Sequence, residues 1–150
     1  KTGVRTFEAA AYLRRRGANT LTVKGMFSDN IETYREKVDI VCKAHVYRGC
    51  AISIAPSGDG DIRLASAQAA DEMLNLKGVD ASFVLFEDNN QINISARSYG
   101  NVNVQIIMEK LGGGGHQTMA ATQLKNTTKE FAYQQLLSEI DSTLDDEENS

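Results

Sequence analysis

The residues best placed to do chemistry are Leu111-Gly112-Gly113-Gly114-Gly115-His116. Four consecutive glycines stand here, in a chain that has 12 in all. Glycine has no Cβ, so its backbone amides can approach a ligand closely and take φ > 0. A run of such amides forms a concave anion cradle, and an imidazole at its edge can donate to a phosphate. The plainer alternatives are a flexible linker or a helix stop, since one glycine after a helix is routine. A linker does not need His116-Gln117-Thr118-Met119-Ala120-Ala121 behind it, and the flanking residues read as core. The ligand cradle is the favoured reading.

Arg97 and Ser98 are the second group. They end an alternating, strand-like stretch, and the helix after it leads into the glycines. A strand–helix–loop unit can return the chain to its own sheet edge and bring Arg97 to the glycine loop. An Arg fork, glycine amides and His116 would then surround an oxyanion, and phosphate suits that donor set. For Arg97 the alternatives are a surface charge or an ion pair with Glu87 across a hairpin. For His116 the alternative is a structural imidazole satisfied by backbone. The loop is not a Walker A, because His116-Gln117 stands where Lys-Ser/Thr is required and a helix precedes it. Cys42, His45 and Cys50 offer only three metal ligands at an irregular spacing, so the two cysteines read as buried free thiols. Asp59 and Asp61 read as a solvated turn, because a calcium loop needs more ligands and a distal Glu.

The elements that must position these residues follow from periodicity. Thr6 caps a short helix over about Phe7 to Arg16, and a short strand covers Thr20 to Val23. Ser28 or Asp29 opens a helix running to about Lys43, with Ile31, Tyr34, Val38 and Val41 at helical spacing. From Val46 to Ile54 the period is two, which predicts one strand. A helix follows from about Ala65 to Leu76. Ser82 to Glu87 is nearly all apolar and reads as an interior strand. Asp88-Asn89-Asn90 turns it into a strand from Gln91 to Arg97. There Ile92, Ile94 and Ala96 face one way, and Gln91, Asn93, Ser95 and Arg97 the other. Asn101 or Asn103 caps the next helix, whose apolar stripe is Val104, Ile107, Met108 and Leu111. Met119 to Leu124 is a strand, and Thr127 with Glu130 forms a capping box for the last helix. The acidic run Asp145-Asp146-Glu147-Glu148 is unfavourable at a helix C-terminus and is expected to be a disordered end. The order predicts an α/β fold: a mixed β-sheet flanked by helices, preceded by a helical and strand tail of a neighbouring domain.

Composition bounds the function. A chain of 150 residues with 41% hydrophobic and 24% charged residues can bury one real core. The net charge of −4 argues against tight, sequence-independent binding of long nucleic acid, which needs cations to neutralise phosphates. A small nucleotide in a local basic pocket remains open. Two cysteines suit a reducing cytoplasm. No apolar run approaches the ~20 residues of a membrane span, and no signal peptide is visible. The chain does not begin with Met, which suits an excised piece of a longer protein.

At Ile94-Ser95-Ala96-Arg97-Ser98, Asn103-Val104, Gly112 to His116 and Ala120-Ala121 the sequence resembles the DHH-associated domain of DHH-type phosphoesterases. Thr2 to Ala10, with Leu13 and Gly17-Ala18, resembles the tail of the catalytic DHH domain. Within the family, the resemblance is greatest to the C-terminal part of GdpP-type cyclic di-AMP phosphodiesterases of Gram-positive bacteria. It implies a DHH tail over 1–27, a linker helix over 28–43, a substrate-binding domain over 44–144 and a disordered acidic tail over 145–150. It also implies a catalytic DHH domain with two divalent metal ions, usually manganese, that activate water. The Asp-His-His metal motifs are absent from this chain, so no metal, cofactor or catalytic residue is expected in it. By the resemblance, Arg97 and Ser98 hold phosphate and Gly112, Gly113, Gly114 and Gly115 donate amides. His116 contacts phosphate or ribose, and Asn103 joins the substrate-binding set. Many relatives read Ala-Ala-Gly where this chain has Ala120-Ala121-Thr122.

The partners implied are cyclic di-AMP or a related small nucleotide and the DHH domain of the same chain. No long nucleic acid and no direct membrane contact are expected, and a homodimer is left open. The location implied is cytoplasmic, with the parent protein anchored to the cell membrane. Two other readings compete: the substrate domain of an oligoribonuclease or pAp phosphatase, and a non-catalytic tRNA-binding or dimerisation module. The acidic balance and the histidine after the glycines weigh against the latter.

Overall fold

Alternating and helical periods set the order of elements in the computed structural model, which describes residues 31–56 and 61–150. The expectations for 1–30, including the short helix, the short strand and the DHH-like tail, lie outside the described residues. Glu32–Ser150 forms one compact unit, which carries the architecture below.

The elements are α1 (Ile31–Cys42), β1 (His45–Tyr47), β2 (Cys50–Ile54), α2 (Ile62–Met73), β3 (Ala81–Asp88), β4 (Gln91–Ser98), α3 (Val104–Lys110), β5 (Gly114–His116), β6 (Met119–Leu124) and α4 (Lys129–Glu148). Six strands form one sheet in the order β1-β2-β3-β4-β6-β5. Only β2 and β3 pair in parallel, and α2 makes their crossover. The other neighbours are antiparallel. This is the mixed α/β sheet expected from the sequence.

Side chains alternate across a strand, so the sheet has two faces. One face carries Ile52, Phe83, Leu85, Ile94 and Ala96, packed under Val104, Ile107 and Met108 of α3 and Leu136 and Ile140 of α4. Each fully buried large side chain stabilises by roughly 1.5–3 kcal/mol. On the opposite face, Ala51, Val84 and Phe86 meet Ile40 of α1 and Ala69, Ala70 and Met73 of α2. Two strand hydroxyls tie those helices down. Ser53 Oγ donates to the Ile40 carbonyl at 2.6 Å, and Ser82 Oγ to the Ala70 carbonyl at 2.6 Å. Helices α1 and α2 therefore cover β2 and β3 on this second face. Towards β6, Met119, Ala121 and Gln123 remain exposed.

Four local expectations need correction. The stretch 46–54 is a hairpin, β1 and β2, rather than one strand. Arg48 and Gly49 both have positive φ, 50° and 78°, the two-residue turn whose twist suits a hairpin. A two-residue turn keeps the alternation in step, so the period alone hides it. Asp61 is more than a solvated turn residue: its side chain accepts from the Leu64 amide at 3.1 Å and caps α2. The acidic run 145–148 is helical and forms the end of α4. Arg48 neutralises it, at 2.9 Å from Asp141, 3.0 Å from Asp145 and 3.3 Å from Glu148. At the other end of α4 the cap is Thr128, whose Oγ1 accepts from the Phe131 amide at 3.2 Å, in place of Thr127.

The Arg48 guanidinium, with the Tyr47 hydroxyl donating at 2.8 Å, holds the Asp141 carboxyl below the usual carboxylate range. A depressed folded-state pKa contributes stability that is present above the ordinary carboxylate value and lost as pH falls through the lowered one. Acidification below about pH 4 should therefore release the end of α4, and Asp141→Asn should flatten that part of the stability–pH curve. Arg48→Ala should speed amide exchange over 142–148 and leave exchange in β3 and β4 unchanged. Equal protection of 142–148 in wild type and variant would contradict this account of the helix end.

Candidate functional site

The glycine run is spent on two different tasks. Gly112, at φ 84°, follows the last residues of α3, and its amide donates to the Glu109 carbonyl at 3.0 Å. The Gly113 amide donates to the Met108 carbonyl at 2.7 Å. These paired bonds are a Schellman termination of the helix. Gly114 and Gly115 then enter β5 and pair with Ala121 and Ala120. The expected loop cradle of four amides is thereby corrected. The amides of Gly112 and Gly113 are committed to α3, and the rest of the run is an edge strand. An edge strand has no neighbour on its outer side, so its outward N–H groups are open to a ligand.

Close approach explains why these residues are glycine. A Cβ on Gly113 would lie 2.1 Å from the Ala121 carbonyl oxygen and 2.7 Å from Thr122 Cα. On Gly115 it would lie 2.5 Å from both Ala120 Cα and the Met119 oxygen. Gly114 differs: a Cβ there meets nothing within 4 Å.

Register shows which candidate residues share a face. Arg97 pairs with Met119, and Met119 pairs with His116. One row across three strands is thus Arg97, Met119, His116. The neighbouring row is Ser95, Ala121, Gly114. With strands about 4.8 Å apart, the Arg97 and His116 backbones are about 10 Å apart on one face. This face is the second one, continuous with the surface under α2.

Arg97 makes neither of the alternatives, an ion pair with Glu87 or a free surface charge. Its Nε donates to Asp71 Oδ1 of α2 at 3.1 Å, and its Nη1 to the Ala96 carbonyl at 2.9 Å. The side chain is only 13% exposed. Nη2 has no partner among the described residues, so a fixed guanidinium keeps one donor edge available. Asp71 orients Arg97 without matching its full donor set. His116 is exposed, and no described residue hydrogen-bonds its ring, unlike a structural imidazole. Met119 between them is 52% exposed.

Two predicted site residues are placed elsewhere. Ser98 lies on the opposite face from Arg97, 6% exposed. Its Oγ donates to the Gln117 carbonyl at 3.2 Å and accepts from the Gly100 amide at 3.2 Å. Ser98 thus holds the loop after β4 to the turn between β5 and β6. Asn103 is the N-cap of α3, its Oδ1 accepting from the Gln105 and Ile106 amides at 3.1 and 3.3 Å. The row analysis adds Ser95, which shares Arg97's face. The alternation of Gln91 to Arg97 carried that signal, and the adjacency of Arg97 and Ser98 obscured it.

Elsewhere the chemistry is structural. Of the two thiols expected to be buried, Cys42 is exposed near the end of α1, whereas Cys50 is fully buried and burial pushes its thiol up to about 11. His45 Nε2 is 2.8 Å from the Tyr133 hydroxyl. Among the described residues, no group of three or more His, Cys, Asp or Glu side chains can hold a metal ion. The described residues therefore do not fit a two-metal centre. What they offer on the open face is a held guanidinium with one free edge and an exposed imidazole.

The glycine geometry separates fold from face. Gly113→Ala should destabilise the chain by about 1–3 kcal/mol or more, because backbone atoms of β6 must move. Gly114→Ala should stay within about 0.5 kcal/mol of wild type. Urea unfolding measures both. Equal stability of the two variants would contradict the close packing of Gly113 on β6.

The DHHA1 domain model matches residues 49–146. The chain is 46% identical over 144 residues to cyclic-di-AMP phosphodiesterase PdeA of Listeria monocytogenes, covering 95% of this chain and 22% of that protein. It is 41% identical over 145 residues to cyclic-di-AMP phosphodiesterase GdpP of Bacillus subtilis, covering 94% and 22%. The chain thus spans about a fifth of the length of these relatives. Among solved structures, an exopolyphosphatase-related protein from Bacteroides fragilis has a TM-score of 0.66 at 18% identity, covering 95% of this chain and 43% of that one. The C-Ala domain of Aquifex aeolicus alanyl-tRNA synthetase has a TM-score of 0.50 at 18% identity, covering 65% and 96%. These two show the fold. With the family model spanning well over half of its residues, the chain belongs to the DHHA1 domain family.

Proposed function

We propose that this chain is the substrate-binding portion of a metal-dependent phosphodiesterase that opens cyclic di-AMP to the linear dinucleotide. The observation that carries the reading is the row Arg97, Met119, His116 beside Ser95 and Gly114 on the uncovered face of the sheet. An anchored guanidinium, an exposed imidazole and the outward Gly115 amide stand along this face and edge, a donor set suited to a phosphate and its ribose. Relatives 41–46% identical to this chain are cyclic-di-AMP phosphodiesterases, which supports the same substrate.

In this reading Arg97 donates Nη2 to a phosphate oxygen, with Asp71 keeping the guanidinium aimed. Gly115, whose N–H faces outward from β5, gives an amide without side-chain bulk, Gly114 leaves the space beside it open, and His116 donates to phosphate or ribose. Ser98 and Asn103 act by holding the surrounding turns, and Gly112 and Gly113 by ending α3. The metals that activate water belong to a DHH domain of the parent protein. None of the described helices is long and apolar enough to cross a membrane.

Calorimetric titration with cyclic di-AMP tests the reading. Saturable binding is expected, weakened about tenfold or more by Arg97→Ala and by His116→Ala, in line with the loss of a charged hydrogen bond. Competition by pApA and pAp ranks the neighbouring substrate classes. No binding by folded wild-type chain, or binding that neither substitution weakens, would contradict it. Manganese added to the chain alone should give no hydrolysis.

A further inference from the structure

Tyr99 follows the strand that carries Arg97, and the residue is 57% exposed. An exposed tyrosine ordinarily leaves its hydroxyl in water. Here the hydroxyl donates to the Leu74 carbonyl at 3.0 Å, with Asn75 Oδ1 at 3.3 Å. Leu74 is the C-cap of α2, and Asp71, one turn earlier on that helix, holds Arg97. Tyr99 and Arg97 are thus pinned to the same helix end and lie on the same side of the sheet. Gly100 comes next at φ 110°, and its carbonyl accepts from Gln117 Nε2 at 3.1 Å, which ties the chain after Tyr99 to the turn between β5 and β6.

The result is an aromatic ring tethered at its polar tip, open along its body and placed beside an anchored guanidinium. Two residues of extended chain span about 7 Å, which is near the separation of a nucleotide's phosphate from its base. Aromatic rings serve as stacking platforms for bases because every base has a π-face. We propose that Tyr99 is the base-stacking residue of the site, receiving the purine of the nucleotide whose phosphate Arg97 holds. This rests on the phosphate-site reading above. It adds a residue that distinguishes a nucleotide from a bare sugar phosphate.

The test compares two probes, AMP and ribose 5-phosphate, by NMR titration of the 150-residue chain. They share the phosphate and ribose and differ in the base. Tyr99→Ala should weaken AMP about tenfold or more and leave ribose 5-phosphate within about twofold. Tyr99→Phe keeps the ring and loses only the tether, so it should retain most of the AMP affinity. Arg97→Ala should weaken both probes. If Tyr99→Ala leaves AMP unchanged while Arg97→Ala weakens it, the stacking role is overturned and the phosphate site stands. If Tyr99→Ala weakens both probes equally, Tyr99 only supports the fold of the site, and the proposal fails. If Arg97→Ala changes neither probe, or wild type binds neither, the phosphate-site reading itself falls.

Discussion

The pairing of β5 on β6 is the constraint on which the rest of the site depends. It requires α3 to end at once and the chain to turn back flush against β6. Gly112 supplies the left-handed residue that ends the helix, and Gly113 the close pass over Ala121 and Thr122. Thr122 Oγ1 then donates to the Leu111 carbonyl at 2.9 Å, closing the corner from the strand side. Only with β5 so placed does His116 fall in the row of Arg97.

The two faces of the sheet divide the labour. One is buried under α3 and α4 and holds the larger core. The other is covered by α1 and α2 over β2 and β3 and left open over β6 and β5. Function sits where cover stops. Arg97 lies at that boundary, close enough to α2 for Asp71 to hold it and far enough out to keep one edge of the guanidinium available. A fixed cation of this kind loses less freedom on binding than a flexible surface lysine. Arg48 shows the opposite use of the same residue type. Its donors are taken by three acids of α4, so it serves the helix end and offers little to a ligand.

Much of this was legible in the residues. The alternation of Gln91 to Arg97 assigned faces correctly, and the stripe Val104, Ile107, Met108, Leu111 marked the buried side of α3. The glycine run was rightly singled out, yet its division between a helix stop and an edge strand depends on contacts with Ala121 and Thr122 that sequence spacing does not show. Ser98 was misplaced because neighbours in a motif point to opposite faces of a strand. Asn103 was flagged both as a cap and as a ligand contact, and the structure shows the cap. The end of α4 was beyond reach, because the cation that offsets its acids stands about a hundred residues earlier in a turn hidden within an unbroken alternation.

Mapping amide chemical shifts of the isotope-labelled chain during addition of cyclic di-AMP tests the central claim most directly. The account predicts shifts concentrated at Ser95, Arg97, Gly114, Gly115 and His116, on the open face, with the α4 surface of Tyr133, Leu137 and Asp141 unmoved. Shifts concentrated on α4, or none on the open face at saturating nucleotide, would contradict it.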